Sequence, residues 1–144
     1  MTMKAGDIMH EPVLATAPEA SARDVATKLV LNRISGMPVT DREGTVLGVV
    51  TEGDILRALM QRKSPDTLTA QDIMSKDLAA VNADTPIEIV MEILHDEGIL
   101  RVPVTQDGKL LGIVSRADVI RAALHLEQGL ALTKNRAPRK RRQK

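Results

Sequence analysis

The chain is one stretch of sequence written twice. Residues 5–9 (AGDIM) return as 70–74 (AQDIM), and Pro38-Val39-Thr40 returns as Pro103-Val104-Thr105. With one residue fewer in the intervening turn, 48–58 (GVVTEGDILRA) returns as 112–122 (GIVSRADVIRA). Self-similarity at a fixed period restricts the fold to copies of one supersecondary unit. A unit of about 60 residues buries only about 60% of the surface its unfolded chain exposes, so neither copy is expected to stand alone. The reading is a pseudo-twofold pair, with a first repeat over 1–62, a polar linker over 63–69, a second repeat over 70–127, and a helix end with a basic tail over 128–144.

Each copy reads as short strand, helix, strand, strand, helix, an α/β (α+β) unit of βαββα order. In the second copy Thr85 is placed to cap the first helix, with Pro86 at its first position and Glu88 completing a capping box. Ile87, Val90, Met91 and Leu94 then fall on one apolar stripe. The matching helix over 21–32 repeats the stripe through Val25 and Leu29. Two strands follow, Met37 to Thr40 and Thr45 to Val50, joined by Asp41-Arg42-Glu43-Gly44; the second copy shortens this joint to Gln106-Asp107-Gly108-Lys109, and Asp-Gly is a strong hairpin signal. The run Val46-Leu47-Gly48-Val49-Val50 has no polar face, which predicts a strand covered on both sides.

Composition removes several functions. The chain has no Phe, Tyr, Trp or Cys. Base-stacking platforms, thiolate nucleophiles, thiolate metal ligands and disulfides are thereby excluded. His10, His95 and His125 stand far apart and read as surface histidines, so no metal site is expected. The seven methionines read as core filling. No phosphate-binding loop, serine-hydrolase elbow or zinc-protease motif is present, and the chain reads as a non-enzyme. No apolar run approaches the roughly 18 residues of a membrane span, so a cytoplasmic protein without membrane contact is expected. The net charge of +1 hides an asymmetry: 134–144 carry seven Lys and Arg and no acid, leaving 13 basic against 19 acidic residues in the body. Such a tail can attach to nucleic acid only in a salt-sensitive, sequence-blind way.

The repeated phrase at 48–54 and 112–118 carries the chemistry. Thr51 with Asp54, and Ser115 with Asp118, have the spacing of a helix capping box, a purely structural role. The same arrangement after a buried strand sets free amides, a hydroxyl and a carboxylate at a helix N-terminus. Such a set suits the phosphate and ribose of a nucleotide.

In order and spacing these motifs resemble the cystathionine β-synthase (CBS) domain in its tandem form, the Bateman module, over residues 4–125. The resemblance implies adenosine-containing ligands, AMP, ADP, ATP or S-adenosylmethionine, in clefts between the repeats. It places Thr51 and Ser115 at phosphate and Asp54 and Asp118 at the ribose hydroxyls. Thr16, Ala17, Pro18, Val81, Asn82 and Ala83 would line the base, as would Gly36, Met37, Pro38, Val102 and Pro103. Arg101 and Arg116 add positive charge to the second copy, where the first has Ser35-Gly36 and Gly53, so the Ser115/Asp118 site is the better phosphate site. The implied protein is a stand-alone regulatory sensor that needs no cofactor, forms a homodimer and signals to a partner. The alternative is a ligand-free dimerisation or interaction module whose basic tail contacts nucleic acid or an acidic partner.

Overall fold

The computed structural model describes residues 3–11, 13–76 and 79–125. The expectations for 128–144, and for a last helix running on through Leu126 and Leu130, lie outside these residues. The chain divides into two compact units that do not follow the order of the repeats. One, here the Asp54 unit, is built from 14–76; the other, the Asp118 unit, combines 3–11 and 13 with 79–125. The opening helix of each repeat is therefore built into the unit that holds the rest of the other repeat.

In the Asp54 unit the chain forms helix α2 (Ala22–Asn32), strands β1 (Gly36–Thr40) and β2 (Val46–Thr51), and helix α3 (Glu52–Met60), with a one-turn helix α4 (Ala70–Ile73) added from the second repeat. Ser21 caps α2, its Oγ accepting from the Asp24 amide at 3.1 Å. Strands β1 and β2 pair antiparallel, and Thr16 adds a parallel bridge to Val39 on the free edge of β1. The core is aliphatic, made of Val25, Leu29, Met37, Val39, Val50 and Ala70. Each large member contributes about 1.5–3 kcal/mol by leaving water.

The Asp118 unit repeats the plan: α1 (Ala5–Ile8), β3 (Val81–Asn82), α5 (Ile87–Asp96), β4 (Arg101–Gln106), β5 (Lys109–Ser115) and α6 (Arg116–Ala123). Its sheet has the order β3-β4-β5, parallel then antiparallel. The β4–β5 turn has Asp107 at φ 54° and Gly108 at φ 81°, the two positive angles of the tight hairpin that Asp-Gly favours. Both β1–β2 and β4–β5 carry a register shift at the same place, after Val39 and after Val104. Val81, Val90, Leu94, Val102, Val104, Val114 and Val119 form the core around Ala5.

Two local expectations are corrected. Thr85 does not cap α5. Its hydroxyl accepts from the Asn82 amide (3.2 Å) and donates to Asn82 Oδ1 (3.3 Å), closing a turn, and Pro86 occupies the cap position without a side-chain bond. Asn82 lies within the hydroxyl's reach because β3 ends there, so the turn takes the hydroxyl before the helix does. Strand β2 is also covered less than expected, with Gly48 and Val50 buried but Val46, Leu47 and Val49 only half-buried.

The glycine that opens the repeated phrase marks where the exchanged segment crosses. A Cβ on Gly48 would lie 2.6 Å from both Met74 Sδ and the Ser75 carbonyl oxygen. Ser75 and Val49 exchange two backbone hydrogen bonds at 2.9 and 3.0 Å. Gly112 sits in the same way under Met9 Sδ (2.6 Å) and the His10 carbonyl (2.9 Å), with His10 and Ile113 exchanging the two bonds. Only a residue without a side chain lets the incoming backbone come this close.

Candidate functional site

Strands β2 and β5 each hand directly into a helix, and the residue at the junction must cap it. Thr51 Oγ1 accepts from the Asp54 amide at 3.3 Å, while Asp54 Oδ2 accepts from the Thr51 amide at 2.8 Å and the Thr51 hydroxyl at 3.1 Å. The other unit reproduces this: Asp118 N–H to Ser115 Oγ at 3.3 Å, and Asp118 Oδ2 accepting from the Ser115 amide (2.8 Å) and hydroxyl (3.0 Å). Both capping boxes are complete. The first helical amides are also engaged, Glu52 by the Ser35 carbonyl and Arg116 by the Leu100 carbonyl. Both carboxylates are buried, Asp54 at 8% and Asp118 at 3% exposure.

The second oxygen distinguishes the units. Asp54 Oδ1 accepts from Arg57 Nη1 at 3.0 Å, and Asp118 Oδ1 accepts from Arg121 Nη1 at 3.1 Å. Asp118 Oδ1 also meets the imidazole Nε2 of His10 at 2.5 Å. Burial pushes the Asp118 carboxyl up, but the hydrogen bonds from the His10 ring and the Ser115 amide, the charge of His10 and the Ser115 hydroxyl more than reverse this. The group is held below the usual carboxylate range. An ionised carboxylate only accepts, so His10 Nε2 carries the proton.

His10 is the functional contact that the sequence reading missed. Its side chain is 61% exposed, consistent with a surface histidine, yet it is bonded to a buried aspartate 108 positions away. The repeat alignment held a signal, because AGDIM is followed by His10 and AQDIM by Ser75. Nothing in the sequence showed that the segment containing His10 packs on the other repeat's strand. His95 pairs with Asp96 at the surface.

The remaining predicted residues fall along each sheet. Gly36 lies opposite Thr51 in the ladder, and Arg101 opposite Ser115, so each strand start adjoins its helix start. Met37 and Val102 belong to the unit cores, and Pro38 and Pro103 are buried, so no side chain of these four lies open on its unit. Thr16 is bonded through its backbone to Pro38 and Thr40, and its buried hydroxyl has no partner among the described residues. Because Thr16 runs parallel to β1, Ala17 and Pro18 extend away from Thr51 toward the hairpin. There, with Thr40, Asp41 and Arg42, they border an open hollow of about 480 Å³. Val81 is buried, while Asn82 is exposed and bonded within its own turn. Arg116 donates to the Ile99 carbonyl at 2.8 Å and the Leu94 carbonyl at 3.4 Å, which engages its guanidinium at the C-terminal end of α5.

Among the described residues no group of three His, Cys, Asp or Glu could hold a metal ion, and no helix is long and apolar enough to cross a membrane. The basic run from 134 lies outside them.

Comparison with known proteins agrees with the duplication. The CBS domain family model matches twice, over residues 5–61 and 70–125. The chain is similar to the CBS domain pair of protein MJ0100, solved in complex with 5′-methylthioadenosine and S-adenosyl-L-methionine: TM-score 0.77, 27% identity, 88% of this chain and 99% of that one. It is likewise similar to CBSX2 in complex with AMP, with TM-score 0.75, 30% identity, and 87% and 98% of the two chains covered. The chain spans only 14% to 65% of the length of three curated relatives. One is the A-adding tRNA nucleotidyltransferase of Aquifex aeolicus, 29% identical over 120 residues, which covers 83% of this chain and 14% of that protein. By fold, by duplication and by a family model that matches most of its length, the chain belongs to the CBS domain family, as a tandem pair.

Proposed function

We propose that this chain is a regulatory sensor that binds an adenosyl ligand, AMP, ADP, ATP or S-adenosylmethionine, in clefts between its repeats, and passes the occupied state to a partner protein without catalysing a reaction. The observation that carries the reading is the duplicated pair of buried carboxylates, Asp54 and Asp118. Each stands at a helix start beside a strand start, and the two similar CBS pairs were solved with adenosyl compounds bound. An aspartate so placed can accept from a ribose hydroxyl. Thr51 and Ser115 would meet phosphate, with Gly36 and Arg101 beside them. The protein acts as a cytoplasmic homodimer in this reading.

A melting series followed by circular dichroism tests it, because the chain has no aromatic fluorescence. A ligand at 100 times its Kd should add about 2.7 kcal/mol to the folded state. The increment should vanish when both Asp54→Asn and Asp118→Asn are present. No shift with any adenosyl compound would remove the reading.

A second reading, an interaction module that works empty, is favoured by one observation. Leu56 and Met60 on α3, and Ile120 within α6 and Leu124 just beyond its end, are exposed at matching places in the two repeats. Apolar side chains repeated at i and i+4 on one face suit a docked helix.

A further inference from the structure

The two carboxylates differ in what is left for a ligand. An ionised aspartate offers about four acceptor positions. Asp54 uses three, for the Thr51 amide, the Thr51 hydroxyl and Arg57, which leaves one on Oδ1 among the described residues. Asp118 uses all four, the extra partner being His10. The arginines correspond between the repeats, so the inequality comes from one position, His10 in one unit and Ser75 in the other. A serine side chain is too short to do what the imidazole does, and Ser75 makes no side-chain bond to Asp54.

Resting on the sensor reading above, we propose that His10 is a built-in occupant of the Asp118 carboxylate. A ribose diol reaches Asp118 only after the imidazole has turned away, and the Asp54 site fills first. The backbone of His10 is fixed to Ile113 by two hydrogen bonds (2.9 and 3.2 Å), so the exchange is a side-chain rotation and not a movement of the segment. With 61% of the side chain exposed, there is solvent for the ring to turn into. The groups facing the imidazole are Asp118 and Arg121 of α6; Asp7 of α1 is turned to the Lys4 amide instead. This ordering reverses the expectation that the Ser115/Asp118 site is the better one, and Arg116, held at the end of α5, gives that site no compensating charge.

The test uses the full chain, AMP and titration calorimetry. In an Asp54→Asn background, which leaves the Asp118 site to be measured, adding His10→Ser should tighten AMP binding about three- to fivefold, the range of a half-exposed ion pair. The Cε1–H resonances of three histidines can be told apart by NMR, with His10 assigned from its loss in His10→Ser. That resonance should move in Asp118→Asn without ligand. It should also move with AMP in the Asp54→Asn protein. If Asp118→Asn abolishes binding in that background while His10→Ser leaves Kd unchanged, the occupant role is wrong and the sensor reading survives. AMP binding that ignores both aspartates overturns the two together.

Discussion

Replacing Gly48 by alanine puts a methyl group where the exchanged segment crosses β2. The new Cβ would lie 2.6 Å from the Ser75 carbonyl and from Met74 Sδ. The thioether can swing aside, but the carbonyl is backbone and carries one of the two Val49–Ser75 hydrogen bonds. Overpacking of this kind costs about 1–3 kcal/mol, and two weakened backbone bonds add about 1 kcal/mol each. Alanine recovers about 0.5–1 kcal/mol of glycine's conformational cost. The balance is a loss of about 2–4.5 kcal/mol, a large share of the roughly 5–15 kcal/mol available to a domain. Urea unfolding followed at 222 nm should show the midpoint falling by about 1–2 M at an ordinary slope. Gly112→Ala should cost somewhat less, because its nearest neighbours belong to the flexible Met9 side chain and the His10 carbonyl is further off, at 2.9 Å. Gly53→Ala is the control. Its Cβ would meet only Thr51 Oγ1, at 3.5 Å, in a helix, so it should be neutral or stabilise by up to about 1 kcal/mol. A Gly48→Ala protein as stable as wild type would refute the account of the crossing.

Acid titration reads the Asp118 carboxylate. Its folded pKa is lowered, so its contribution is fully present above the unfolded value of about 3.9 and is lost as pH falls through the folded value. The stability gap between wild type and Asp118→Asn should therefore close below about pH 4; a gap unchanged from pH 5 to pH 2 would count against it. Ser21→Ala removes the α2 cap and should cost about 1 kcal/mol, whereas Thr85→Ala should leave α5 intact and loosen only the Asn82 turn. Equal losses of helix signal from the two variants would reverse the cap assignment.

The longer helices and the hairpin strands were legible because each rests on local chemistry that a short stretch of sequence displays, whereas the one-turn helices α1 and α4 were not read, and the opening strand expected of the first copy is only the bridge at Thr16. Ser21, Thr51 and Ser115 cap helices with their own neighbours, and Asp107-Gly108 turns a hairpin by itself. Thr85 failed because two local partners competed for one hydroxyl, and the sequence does not say that β3 brings Asn82 within reach. The exchange of α1 and α4 was invisible for a different reason. In a duplicated chain, an opening helix that fits its own repeat fits the other equally well, so pattern cannot tell which unit holds it. Gly48 and Gly112 were the trace of it, two glycines at one place in otherwise apolar strands.

That exchange explains how two nearly identical copies come to hold unequal sites. Had α1 stayed with its own repeat, His10 would sit on β2 and differences between the repeats would remain inside each unit. Because the segment crosses, a residue at the start of the chain sets the state of a carboxylate near the end of the second repeat, while Ser75, in the opening segment of the second repeat, leaves Asp54 with an open lone pair. The capping box adds a second constraint. Oδ2 of each aspartate holds the strand–helix junction together, so a ribose can draw mainly on Oδ1, the oxygen that His10 and the arginines contest. Affinity at either site is then set less by what the aspartate offers than by which neighbour lets go of it.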